Sequence, residues 1–201
     1  MIPRRLSAAF AMALGIGALV FSTHAARAEP SATEIATARR LFAEATELRS
    51  AGKWSEAGSK LRDAISIKET AGLRFHLAHC EEQLGQLVSA ARDYDRADEL
   101  IRAGAKAEDV ATLLAPARAA LAERVPSLLV KIPPDARRAS VSIDGTPMPP
   151  ALLGKPMPLD PGPHTVEAAA ADRTPFTIEV RLAEGEDRVV EEFVAHTVVS
   201  F

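Results

Sequence analysis

LFAEATELRSAGKWSEAGSKLRDAISI (residues 41–67) and FHLAHCEEQLGQLVSAARDYDRADEL (residues 75–100) follow one pattern. Ala45, Gly52, Ala57, Leu61 and Ala64 lie 33 residues before Ala78, Gly85, Ala90, Tyr94 and Ala97. Each copy has a helical apolar period, a glycine, and a second helical period. Glycine at the end of a helix adopts the left-handed conformation that closes its last turn, so each copy reads as a helical hairpin. Ala45 with Ala57, and Ala78 with Ala90, let paired helices approach closely. Leu61, Tyr94, Trp54 and Leu87 are large enough to fill the space to neighbouring units.

Working outward, Ser31-Ala32-Thr33-Glu34 has the spacing of a capping box and starts the first helix. EDVATLLAPARAALAERV (residues 108–125) carries a further helical period and serves as a cap, because two hairpins alone leave an apolar face open. Pro116 inside it either kinks that helix or lies near its edge. The small residue in the first helix, the glycine before the turn and the A-x3-(L/Y)-x2-A pattern in the second helix resemble the tetratricopeptide repeat over residues 38–103. The period here is 33 rather than the family's 34, no proline closes either unit, and Glu81 replaces a usual large apolar residue. The resemblance implies a concave groove lined by first helices. Arg39, Phe42, Thr46 and Arg49 would face it from the first unit, Phe75, His79, Glu82 and Gln83 from the second, and Glu108 and Thr112 from the cap. Two exposed phenylalanines between charged residues would suit a peptide or partner protein.

Near Pro126 the pattern changes. Residues 31–125 hold one proline, whereas residues 126–201 hold eleven. Short alternating runs follow: residues 127–132, 139–146, 164–168 and 177–182, the last forming a hairpin with 189–194 through the Glu184-Gly185-Glu186-Asp187 turn. Asp144-Gly145 is a hairpin turn signal. Pro147, Pro149 and Pro150 withhold ladder donors, so that strand ends or lies on an edge. The order strand, Asp-Gly, proline-rich loop, Pro-Gly-x-His-x-Val, strand resembles the PEGA domain of bacterial envelope proteins over residues 127–193. The Pro-Glu-Gly-Ala string itself is absent, and Ala171-Asp172-Arg173 stands at the family's usual glycine. Together the two resemblances point to exported proteins of myxobacterial type. The expected fold is α plus β in separate domains: antiparallel helical-hairpin repeats forming a solenoid over residues 31–125, then a small all-β antiparallel sandwich over 127–194 and a tail over 195–201.

The N-terminus reads as a signal peptide spanning residues 1–28. Arg4 and Arg5 precede a short apolar run, and Ala26-Arg27-Ala28 places small residues for cleavage after Ala28. Its loss leaves 21 Lys and Arg against 27 Asp and Glu, a net charge of −6. That balance argues against nucleic acid and anionic membranes as partners, and no stable membrane span is expected after cleavage. The location implied is periplasmic or secreted. The single Cys80 forms no internal disulfide, so packing alone holds the fold.

The sequence has no G-x-S-x-G, no phosphate-binding glycine loop and no H-E-x-x-H. His76, His79 and Cys80 lie on one helical face and would suit zinc, but a fourth ligand is not visible; no metal or other cofactor is expected. The adjacent Glu81-Glu82 and Glu191-Glu192 read as solvated surface, and His164 as a structural residue at a strand start. The function expected is a non-enzymatic exported adaptor whose groove binds a protein or peptide, with the β domain on an envelope component. The alternative is envelope attachment, the β domain holding a glycan or cell-wall polymer. That alternative is disfavoured because Phe176, Phe193 and Phe201 are the only aromatics after Pro126.

Overall fold

The structure is a computed structural model that describes residues 29–132, 139–169 and 175–191. The leader and its cleavage site, the Ala171–Arg173 segment, the strand beyond 191 and the C-terminal tail lie outside the described residues. Five helices come first: α1 (Ala32–Ser50), α2 (Trp54–Ile67), α3 (Ala71–Gln83), α4 (Leu87–Arg102) and α5 (Glu108–Ala122). Seven strands follow among the described residues: β1 (Ser127–Val130), β2 (Ser140–Ile143), β3 (Thr146–Pro147), β4 (Pro156–Pro158), β5 (Gly162–Ala169), β6 (Phe176–Leu182) and β7 (Asp187–Val190).

Local chemistry sets the helix ends. Ser31 caps α1 through a capping box, its hydroxyl accepting from the Glu34 N–H while Glu34 accepts from the Ser31 N–H at 2.8 Å. Thr70 caps α3 by accepting from the Leu73 N–H at 3.2 Å. The α1–α2 and α3–α4 turns are copies 33 residues apart. Gly52 and Gly85 have φ of 71° and 73°, the Lys53 N–H donates to Leu48 O, and the Gln86 N–H donates to Glu81 O. These crossed bonds satisfy the last helical carbonyls and need a residue free to adopt positive φ. Helix α5 runs through Pro116, so that proline is not at an edge.

The helices enclose two apolar clusters. Ala38, Leu41, Ala45, Ala57, Leu61, Leu77 and Cys80 form one, with Trp54 packed partly buried against it. Phe75, Ala78, Leu87, Ala90, Tyr94, Val110, Leu114 and Leu121 form the other. Charge is buried between them as well. Glu81, read from sequence as solvated, is 4% exposed, beside Asp93 at 5%. Stacking α3 between α2 and α4 leaves this part of α3 no route to solvent.

The helices are followed by a β region that is mostly antiparallel, as expected, with one parallel pairing that was not. Its strands form two sheets, β4-β1-β7 and β3-β2-β5-β6, and β1 pairs parallel with β7. The expected hairpin of residues 177–182 with 189–194 does not form among the described residues. After the turn, β7 leaves β6 and crosses to β1, while β6 pairs with β5 over Gly162–Ala168. One apolar cluster joins both sheets, with Leu128, Val130 and Val190 from one and Val141, Ile143, Val166, Ala168, Val180 and Leu182 from the other. Crossing lets β7 place Val190 in that shared cluster. Three strand prolines lie on outer strands, as a missing donor favours. Pro147 lies in β3 and Pro156 and Pro158 in β4, each an outer strand. Pro163 is on inner strand β5, opposite Arg181 of β6 and outside the stretch of β5 that pairs with β2. Asp144 and Gly145 both have positive φ, 50° and 73°, giving the Asp-Gly reversal from β2 to β3.

The β region meets the helices at α5. The Gly185 N–H donates to Arg124 O at 2.7 Å, and Arg124 forms paired bonds to Glu184 at 2.8 and 3.0 Å. A Cβ on Gly185 would lie 2.7 Å from the Glu123 carbonyl oxygen, and its φ is 69°. Gly185→Ala should therefore lower stability to urea by roughly 3 kcal/mol, combining strain and collision. Gly52→Ala, with similar φ but open space around it, should lose only about 1 kcal/mol. Equal losses would show that the Gly185 contact is dispensable.

Candidate functional site

A cleft of about 420 Å³ opens between α1, the start of α3 and the start of α5. Ile35, Ala38 and Leu73 form an apolar floor. Phe42, 37% exposed, stands at its wall. Arg39, Lys68, His76 and Asp109 supply its polar groups, with Thr70 and Gly72 at the α3 entrance.

Most cations of the helical region hold a carboxylate; Arg92 on α4, which donates to the Ser89 hydroxyl, is an exception outside the cleft. Arg40, Lys60, Arg62, Arg74, Arg96, Arg102, Arg118 and Arg124 each hold a carboxylate. Among the described residues, Arg39 and Lys68 pair with none. Neighbouring Arg49 reaches only an imidazole, its Nη1 lying 2.8 Å from His76 Nδ1, and its Nε is buried without a partner. Burial and the Arg49 charge depress His76 to a pKa of about 4. His76 is therefore neutral near pH 7 and accepts from Arg49. His79 is shifted down by the same two causes. These two histidines spend their faces on packing. The His76 ring stacks obliquely on Phe42 at 5.3 Å, and the His79 ring on Trp54 at 5.6 Å.

The residues assigned to the groove from sequence are not all brought together. Arg39 and Phe42 line the cleft. Arg49 and His79 lie further along α1 and α3, half-buried, and Thr46 is exposed, with its hydroxyl donating to Phe42 O. Glu82, beside Tyr94, lies 4.0 Å from Arg124, and Gln83 is exposed at the end of α3. Glu108 and Thr112 are exposed on α5, but Asp109 is the α5 residue that reaches the cleft.

Phe75 is the clear correction. It is 8% exposed and packs on Tyr94 with ring centroids 5.4 Å apart, because it points between α3 and α4 and fills the second cluster. Phe75→Ala should therefore cost about 3–4 kcal/mol of unfolding free energy. Phe42→Ala should cost under about 1 kcal/mol. Denaturation of the two variants distinguishes them, and comparable losses would contradict this placement.

Cys80 is fully buried in the first cluster, and its thiol is shifted up chiefly by burial. That position turns it away from His76 and His79 as a joint ligand set. Among the described residues no group of three or more His, Cys, Asp or Glu side chains converges as a metal site. Lys68, Leu73 and Asp109 were not legible from the repeat pattern. Lys68 and Leu73 flank the α2–α3 turn, and Asp109 reaches the cleft only through the placement of α5.

Ion pairs link α2, the α2–α3 turn, α3 and α4, with Glu81 and Asp93 as their buried members. Arg62 donates to Glu81 at 3.0 Å, Arg74 to Asp93 at 2.5 Å, and Glu69 binds both Arg74 and Arg96. Arg96 chiefly, with Arg74, overcomes partial burial to hold Glu69 near a pKa of about 2. Glu81 goes the other way, raised to about 7 by burial and the adjacent Asp93. Its Oε2 has no donor, so a proton on Glu81 relieves the repulsion. The fold thus binds a proton that the unfolded chain releases near pH 4.5. This contribution is complete below that pH and is lost as pH rises through about 7. Replacing Glu81 by Gln should shrink the fall in urea midpoint between pH 5 and pH 8. An unchanged fall would mean that Glu81 is ionised throughout.

No protein-family model, curated protein or solved structure matches this chain. Among the described residues no helix is long and apolar enough to cross a membrane.

Proposed function

We propose that this protein is a non-enzymatic, exported interaction adaptor whose α1/α3/α5 cleft receives a segment of a partner protein. The helical hairpins are read as tetratricopeptide-like repeats, and the two sheets as a PEGA-like sandwich that docks on an envelope component. Export is read from the leader pattern of residues 1–28, which favours a periplasmic or secreted location.

The observation that carries this reading is an apolar floor edged by cations without internal partners. Ile35, Ala38, Leu73 and Phe42 can take one bulky apolar side chain, and Arg39 and Lys68 favour acidic neighbours on the same segment. A cation held near an open apolar surface is available to a partner carboxylate without first breaking an internal ion pair. The titratable groups of the cleft also favour binding over catalysis: His76 is neutral and already bonded to Arg49.

Selection from a random peptide library on the full chain should enrich segments with a bulky apolar residue beside Asp or Glu. The Arg39→Glu, Lys68→Glu double variant should invert the charge preference, and Phe42→Glu should weaken binding at least about tenfold, the scale of a hot-spot contact. Circular dichroism would confirm intact helices in each. Enrichment indifferent to all three substitutions would refute the cleft as the binding site.

A further inference from the structure

His164, the third residue of β5, has a side chain only 10% exposed. Its Nδ1 lies 2.7 Å from Asp144 Oδ2, and its Nε2 lies 2.7 Å from the Asp160 carbonyl oxygen. Both partners are acceptors. A backbone carbonyl carries no proton, and the Asp144 carboxyl, although partly buried, is held below its ordinary range by His164 and the Thr165 N–H. A neutral imidazole has a single N–H, so both contacts together require the imidazolium.

Each partner is anchored in turn. Asp144 Oδ1 accepts from the Thr165 N–H at 2.8 Å, and the Asp144 N–H donates to Thr165 O at 2.9 Å. Asp160 reaches across the boundary between the two regions. Its Oδ1 accepts from the Val88 N–H at 2.8 Å, 72 residues away in sequence. Val88 is the second residue of α4, and Gln86 at the cap position makes no side-chain bond to the helix end. A β-region carboxylate thus performs for α4 the role that Ser31 and Thr70 perform locally for α1 and α3.

We propose that protonated His164 is a pH-operated latch that holds Asp160 over the α4 N-terminus, and that its deprotonation releases this cap and loosens the β region from the helices. On deprotonation one ring proton passes to solvent. The remaining proton stays on Nδ1, facing the stronger carboxylate acceptor. Nε2 then presents a lone pair to the lone pairs of the Asp160 carbonyl, and that contact turns repulsive. The charges acting on the ring are Asp144, from the β2–β3 turn, and Asp160; β6 pairs the uncharged Val180 with His164. Burial opposes the charged ring, but the Asp144 carboxylate and the Asp160 carbonyl outweigh it and raise the pKa above 6.5. The latch is therefore closed below pH 6.5 and opens as pH rises through the raised value.

NMR on the full chain tests this between pH 5.5 and 8.5, using the His164 ring resonance and the exchange protection of the Val88 amide corrected for intrinsic rate. The ring should titrate above 6.5, and Val88 protection should fall about tenfold through the same midpoint, the scale of losing one helix cap. In His164→Gln the protection should not vary with pH. Asp144→Asn, which keeps the histidine, should move the ring and the amide midpoints down together, and it serves if His164→Gln fails to fold. Protection of Val88 that is constant with pH in the unaltered chain would overturn the proposal. So would a ring midpoint at or below 6.5, or amide midpoints that ignore Asp144→Asn.

Discussion

Ala45 and Ala57 in the first helix pair, and Ala78 and Ala90 in the second, have no accessible surface. A methyl group at each contact allows the helix axes to approach closely, and a larger side chain there would force them apart. The rest of the helical architecture depends on that approach. The α3–α4 approach seals Phe75 against Tyr94, while α2 meets α3 at Gly58, where an added Cβ would lie 3.6 Å from Leu77 and 3.9 Å from Cys80.

Burying α3 on both sides has an electrostatic consequence. Carboxylates caught between helices need cations, and the arginines of α2, α3 and α4 supply them, as Arg62 does for Glu81 and Arg74 for Asp93. A buried charge left alone is costly, whereas a paired one is tolerated. Most helical cations are committed to such pairs, so Arg39 and Lys68 are conspicuous beside the cleft. Their availability is a property of the whole charge distribution, not of either residue.

The junction with the β region uses polar contacts. Arg124 stands between Glu184 and Glu82, Gly185 packs backbone against backbone on the end of α5, and Asp160 caps α4. Such contacts are directional and respond to charge, unlike the apolar clusters on either side. Two stable bodies joined through hydrogen bonds can shift relative to one another without either core unpacking.

Much of this was legible in the residues alone. The 33-residue spacing, the glycines ending α1 and α3, the Ser31–Glu34 box and the Asp144-Gly145 reversal are local rules. Each depends on a few neighbouring residues and the allowed dihedrals of glycine. Phe75 was misassigned because a helical period places a residue on a face but does not say which neighbour covers that face. Glu81 was misread because its partners, Arg62 and Asp93, lie on other helices. The β6–β7 hairpin was expected from its turn, yet the apolar cluster shared by two sheets drew β7 to β1. Sequence by itself determined where elements begin, turn and end, since backbone sterics and caps act within a few residues. Tertiary structure alone decided which charges are buried, which cations stay unpaired and which carboxylate caps α4. Those outcomes depend on distances between residues far apart in the chain, which only packing sets.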